Sequence, residues 1–397
     1  MGSVPGRVTL GRVALGSLAL LMVACGGGDQ SPSVAVVSDS AGVRIVDHGG
    51  VLPDGPVWSI EMGQALELPG DFHRVGGGVV LDRGAVVVGD GASRELRSFT
   101  PGGDPGRVVG GEGEGPGEFM AVTLLDRWPG DSIAVFDVNL RRVSLFDGDL
   151  NFGRTFALEV SDEAPFGNIH GVLDDGTMVA SGFSRLPDGG PQTGVRRYPS
   201  PLHVYDSGGG VRVVGFAELW TESYFDVMGG GAFSIGPVPF ASAIRPAFGR
   251  DRIVLGESLT GELRIFDSDG ALRGIVRGTG PMVRLDAEAR RAGIDRALDG
   301  TASALDAGER RRQLEALELP EHQPILSRVG VDRDGFLWMA PYSGTRWTVF
   351  DGAGGFLAHI DLPEGIRPLE IGTDYLLAMI PDAFDVERIY RIPLERR

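Results

Sequence analysis

One phrase recurs along this 397-residue chain, and a repeat restricts the possible folds more than composition does. It is an apolar strand, a polar turn, an alternating strand ending in an aromatic residue, then Asp with a glycine close behind. The phrase reads AVVVGDGASRELRSFTPGG at 85–103, SIAVFDVNLRRVSLFDGD at 132–149, RIVLGESLTGELRIFDSDG at 252–270 and FLWMAPYSGTRWTVFDGAGG at 336–355. PLHVYDSGGG (201–210) shows only its second half, and YLLAMIPDAFDVERIYRIPL (375–394) is a degenerate last copy. The anchors Phe99, Phe146, Tyr205, Phe266 and Phe350 stand 47, 59, 61 and 84 positions apart, a repeat with interruptions.

A short apolar stretch precedes each copy, from GVVLD (78–82) to PLEIG (368–372). Period-two alternation in ELRSF, RVSLF and ELRIF marks strands packed on one face. The Asp after the aromatic supplies a side-chain acceptor, and the glycine supplies the positive φ of a hairpin turn. Three to four strands per unit and six units predict an all-β fold, a six-bladed β-propeller over 46–397. Residues 184–200 lengthen a loop of the third blade. Residues 284–319, rich in Ala, Glu and Arg, predict one or two amphipathic helices inserted between blades 4 and 5. The last blade lacks an outer strand, and PVWSIE (56–61) is the candidate to close the ring.

GGEGEGPGEF (110–119) falls between the fourth strand of one unit and the first of the next. It does not read as a phosphate loop: no Lys or Ser/Thr follows, no helix opens, and Glu112, Glu114 and Glu118 would repel an anion. Together with VFDVNLRRVSLFD it resembles the NHL-repeat family of propellers, with one extra residue between Asn139 and Val143. The likeness is architectural over about 46–397 and strong over about 75–150. It also resembles the six-bladed propeller lipoproteins of bacterial envelopes, which implies an envelope location and leaves activity open.

Arg7 and Arg12 precede the apolar run 13–24, too short to span a bilayer and suited to a signal peptide over 1–24. LMVAC resembles a lipobox, which implies lipidation of Cys25, the chain's single cysteine, and a membrane anchor. A secretory signal that happens to contain a cysteine is the alternative. Residues 25–45 read as a flexible tether, and Gly26 favours the outer membrane. Removing 1–24 takes away two arginines and moves the formal charge from −17 to −19. The chain has no lysine. Such an acidic body argues against nucleic acid and against docking on anionic headgroups. A monomer is expected.

In a propeller the first strand of each blade lines a central channel. Just before or within those strands stand His170, Arg245, Arg328 and Arg367, with His73 and Arg74 displaced by glycines in the first blade. The repeat of IRP at 244–246 and 366–368 supports this alignment. Two readings compete: a focused anion-binding site, or arginines that staple neighbouring blades through Asp and Glu. Trp220, Tyr224, Phe225 and Phe233 in a Gly-rich stretch are candidate anchors of a partner-binding loop, or else packing of blades three and four. The six histidines show no zinc spacing. No cofactor is expected, although six-bladed lactonases hold Ca2+ on channel carboxylates and asparagines. DVN (137–139) resembles half of a calcium loop but fits a turn cap better. Glu118, Asp82, Asp126 and His170 are the only candidates for acid–base work, and no catalytic pair stands out.

The reading is therefore a lipid-anchored envelope binding or scaffold propeller, taking a small anionic ligand or a protein partner at its channel mouth. A metal-assisted lactonase- or lyase-like enzyme in the same channel is the alternative.

Overall fold

The computed structural model describes residues 35–397 apart from 166, 183–189, 228–231 and 300–306. The chain divides into Met1–Ser31 and Pro32–Arg397, and every described residue belongs to the second part. The signal segment 1–24, Cys25 and most of the tether lie outside the described residues.

Six antiparallel units follow one another along the chain: unit I (75–110), II (124–157), III (168–219), IV (244–277), V (326–361) and VI (367–395). Units I to V each run four strands in sequence order. The turns between third and fourth strands share one device. Asp147, Asp206, Asp267 and Asp351 each accept backbone N–H groups two and four residues ahead. The left-handed position of this turn is Gly209, Gly270 or Gly354, but in unit II it is Leu150 at φ 60°.

Each adjacent pair of units has its own apolar core. Phe119, Leu125 and Val135 lie between I and II, Phe136 and Met178 between II and III, and Val204 and Ile253 between III and IV. Leu326 and Phe350 lie between IV and V, Trp338 and Leu376 between V and VI, and Phe72 and Leu377 between VI and I. The last interface returns to the first unit, so the sheets pack in a closed ring around their first strands. That is a β-propeller.

Where the ring closes, Val57–Ile60 runs parallel to Phe356–Asp361 of unit V and antiparallel to Glu387–Glu395 of unit VI. Leu66–Glu67 also pairs with Glu387–Glu395. Closure therefore uses the expected segment, shared between two units. The tether expected over 25–45 is too long. Val36–Ser40 and Val43–Asp47 form a hairpin whose second strand lies parallel to Leu272–Arg277 and buries Val46. Between units IV and V the described residues include two helices, α1 (Ala287–Asp299) and α2 (Ala307–Glu315), which share Ile294, Ala297 and Leu314 as a small core.

The loop 110–119 is the crossing from unit I to unit II. Gly110, Gly111 and Gly117 take positive φ, and Phe119 drops fully into the core. The Arg142 guanidinium fixes the loop by donating to the carbonyls of Glu114, Gly115 and Glu118.

Candidate functional site

The first strands of the six units, Val75–Val80, Leu124–Trp128, Asn168–Val172, Ile244–Gly249, Leu326–Val331 and Arg367–Ile371, surround a cavity of about 560 Å3. Two of the candidate residues are positioned by β-bulges, which re-aim side chains along a strand. His170 is the extra residue of a bulge between Ile169 and Gly171, and Ser327 is the extra residue immediately before Arg328. In unit I the strand is VGGGVV, and at Gly76 and Gly77 the chain entering unit II comes too close for side chains. A Cβ on Gly77 would collide with the Leu125 carbonyl, and one on Gly76 would stand 2.6 Å from the Val122 oxygen.

At the starting end of these strands the arginines come together. Burial holds the Arg328 guanidinium below its ordinary range, and the positive charges of Arg367 and Arg245 push it further the same way. Arg328 opens onto the channel and is exposed there, yet protein surrounds it closely enough for its neighbours' charges to be felt. Arg245 is likewise lowered by burial, with Tyr342 acting in the opposite sense. Neither Arg245 nor Arg328 has a carboxylate partner among the described residues. Arg367 is better satisfied: its Nη2 donates to the Val75 carbonyl at 2.9 Å and lies 3.8 Å from Glu387. The buried Nε atoms of Arg245 and Arg367 have no acceptor. Unpaired buried donors are costly, and they are the groups an anion would satisfy.

His170 lines the same cavity but brings no charge at neutral pH. Burial lowers its imidazole to about 4, its Nε2 lies 2.9 Å from the Ser181 hydroxyl, and its ring stacks on Phe248. The sequence grouping of three arginines with a histidine is thus, electrostatically, three arginines.

The other end of the channel is a paired network. Glu370 accepts Arg127 Nε at 2.6 Å, the Val80 N–H at 2.7 Å and the Tyr375 hydroxyl at 2.8 Å, with Arg333 at 3.7 Å. Arg127 also reaches Asp82 and Asp131 at 3.5 and 3.6 Å. Arg127 is therefore the inter-unit staple that was the competing reading of the other arginines. Sequence reasoning missed Glu370, which strand pairing places at the position Asp126 holds in unit II: Glu370 lies opposite Leu377 as Asp126 lies opposite Ala134. Asp126 accepts the Val172 and Arg127 N–H groups, yet burial pushes it up to about 6, with Glu370 adding to the rise. Glu118 does not line this cavity. It accepts the Gly115 N–H within its loop.

The aromatic stretch forms its own sheet, in which Ser223–Val227 pairs with Gly194–Arg196 and Phe233–Pro237. Arg197 lies 3.7 Å over the Trp220 ring, Arg310 of α2 sits 5.0 Å from Tyr224, Phe225 is buried against Tyr198, and Phe233 is exposed. The Asp137 carboxylate is taken up by four backbone N–H groups, Asn139 and Leu140 on one oxygen and Met120 and Ala121 on the other. Among the described residues no group of three or more His, Cys, Asp or Glu side chains converges in a way that could hold a metal ion.

This fold and channel define a β-propeller with one bare cationic mouth. No protein-family model matches the chain, and no curated protein matches it. Solved structures that resemble it include a member of the duf4221 family from Bacteroides vulgatus, 12% identical over 87% of this chain and 100% of that one, at a TM-score of 0.48. A gluconolactonase from Xanthomonas campestris is 14% identical over 86% and 97%, at 0.43. The virginiamycin B lyase of Staphylococcus aureus is 10% identical over 83% and 98%, at 0.40. At these identities activity has to be argued from the site.

Proposed function

We propose that the chain is a six-bladed propeller lipoprotein of the bacterial envelope that binds a small carboxylate- or phosphate-bearing molecule at the arginine mouth. In this reading units I to VI are the blades, α1 and α2 are an insertion between blades four and five, and lipid on Cys25 anchors a monomer to the outer membrane. The observation that carries the ligand class is the contrast between the two ends of one channel. Arg127 and Arg333 share a carboxylate, whereas Arg245 and Arg328 face each other's charge without one. A site that holds like charges together without acidic partners is built to be neutralised from outside. The enzyme reading has less support: Asp126 and Glu370 in the channel are engaged by backbone N–H groups and Arg127, and no metal donor set converges among the described residues.

Thermal unfolding of residues 26–397 against a panel of carboxylates and sugar phosphates tests this reading. A ligand at a hundred times its dissociation constant should add about 2.7 kcal/mol, and Arg245→Ala should abolish the gain. A response unchanged in Arg245→Ala would remove the mouth as the site. A flat panel would move the search to a protein partner, sought by crosslinking.

A further inference from the structure

Beside the arginine mouth a second cavity of about 500 Å3 opens between units I and II, and Val75 and Gly76 belong to the walls of both. Two cations line it. Arg94 is committed to structure, paired with Glu112 at 2.7 Å and donating its Nε to the Met120 carbonyl. Arg74 is not: its side chain is exposed and has no hydrogen bond or ion pair with any described residue.

The backbone holds Arg74 in place. Its φ is 55°, a left-handed value that a non-glycine residue adopts only at some cost. Its carbonyl accepts the Gly91 N–H at 3.2 Å, and a Cβ on Gly91 would stand 2.6 Å from that same oxygen. The next residue, Val75, donates its N–H to Glu387 and receives Arg367 Nη2 on its carbonyl. Arg74 is therefore one peptide away from a group in direct contact with the arginine cluster. Glu387 offsets part of the charge of Arg367, which leaves Arg245 and Arg328 for one anionic group and Arg74 for another.

We infer that the ligand is extended and doubly anionic, with one charged end among Arg245, Arg328 and Arg367 and the other reaching Arg74 in the adjoining cavity. The inference rests on the reading of the mouth as an anion site and adds the ligand's length and second charge.

Calorimetric titration of residues 26–397 at low salt with hexanoate and with the dicarboxylates succinate, glutarate, adipate and pimelate tests it. The best-fitting dicarboxylate should bind at least tenfold more tightly than hexanoate. Arg74→Gly, which suits the positive φ, and Arg74→Gln should each remove that advantage and leave hexanoate affinity unchanged. Arg328→Ala should weaken both ligand types. Equal affinity for hexanoate and every dicarboxylate in the native protein overturns the inference while leaving the anion site standing. So does a dicarboxylate advantage that survives Arg74→Gly. No binding of any carboxylate or of inorganic pyrophosphate overturns the inference together with the reading beneath it.

Discussion

Arg127 donates its Nε to Glu370 at 2.6 Å across units II and VI, which are not neighbours in the ring. The same carboxylate takes the Val80 N–H of unit I lying between them, so one side chain ties three units at the end of the channel away from the bare arginines.

Removing that carboxylate should be expensive. Glu370→Ala leaves Arg127, the Val80 N–H and the Tyr375 hydroxyl without their shared acceptor. Breaking a largely buried ion pair from one side costs about 3 kcal/mol. The expected result is a lower urea midpoint with an unchanged slope. Anion binding at the opposite mouth should persist. A loss below about 1 kcal/mol would mean that Glu370 is not the hub.

The arginine mouth should behave in the opposite way. Arg328 is held against Arg245 and Arg367 without an acidic partner among the described residues, so Arg328→Ala relieves repulsion among them. Stability should hold or rise only slightly, since solvent at this exposed side chain screens most of the repulsion, while ligand-induced stabilisation disappears, the trade expected where a site is kept strained for function. A variant that loses both stability and binding would mark Arg328 as a structural residue.

The repeat was legible because its signals are local. Asp147, Asp206, Asp267 and Asp351 cap turns a few residues ahead, and ELRSF or ELRIF alternates within one strand. The positions of Arg245, Arg328 and Arg367 were legible for the same reason, since each stands at the start of an inner strand. That Arg245 and Arg328 have no carboxylate partner among the described residues was not, because it depends on side chains brought in by other units. The hairpin 36–47 was missed since Val36–Ser40 is exposed at every position and Val43–Asp47 gains its partner 230 residues away. The Glu370 network spans three units and leaves no local trace.

Asp126 should make the protein less stable as pH rises. Burial lifts its carboxyl to about 6, above the unfolded value of 3.8, so the native state binds more protons between those limits. Stability from this group is fully present below about pH 4, falls as pH rises toward 6 and is flat above, a span of about 3 kcal/mol. Asp126→Asn keeps an acceptor for the Val172 N–H and should remove this slope. The difference between native and variant in urea unfolding at pH 4, 5, 6 and 7 reads it, and identical pH profiles for the two would refute the assignment.

His170 works in the same window with the reverse sign. Its imidazole falls to about 4 from an ordinary 6.5, so the unfolded chain binds the extra proton and stability drops as pH falls through 6.5 toward 4. The size is again about 3 kcal/mol, so the native protein should show a shallow profile in which the two residues offset each other between pH 4 and 6. His170→Gln retains a hydrogen-bonding group for Ser181 and exposes the Asp126 slope alone: the variant should gain stability on acidification from pH 6 to pH 4 relative to the native chain. Asp126→Asn with His170 intact should lose it over the same range. If the single variants share one sign, the two groups do not titrate as their burial requires, and a neutral His170 beside the arginines would have to be abandoned. Nuclear magnetic resonance of the His170 ring carbon between pH 4 and 7 would then show the charge on it directly.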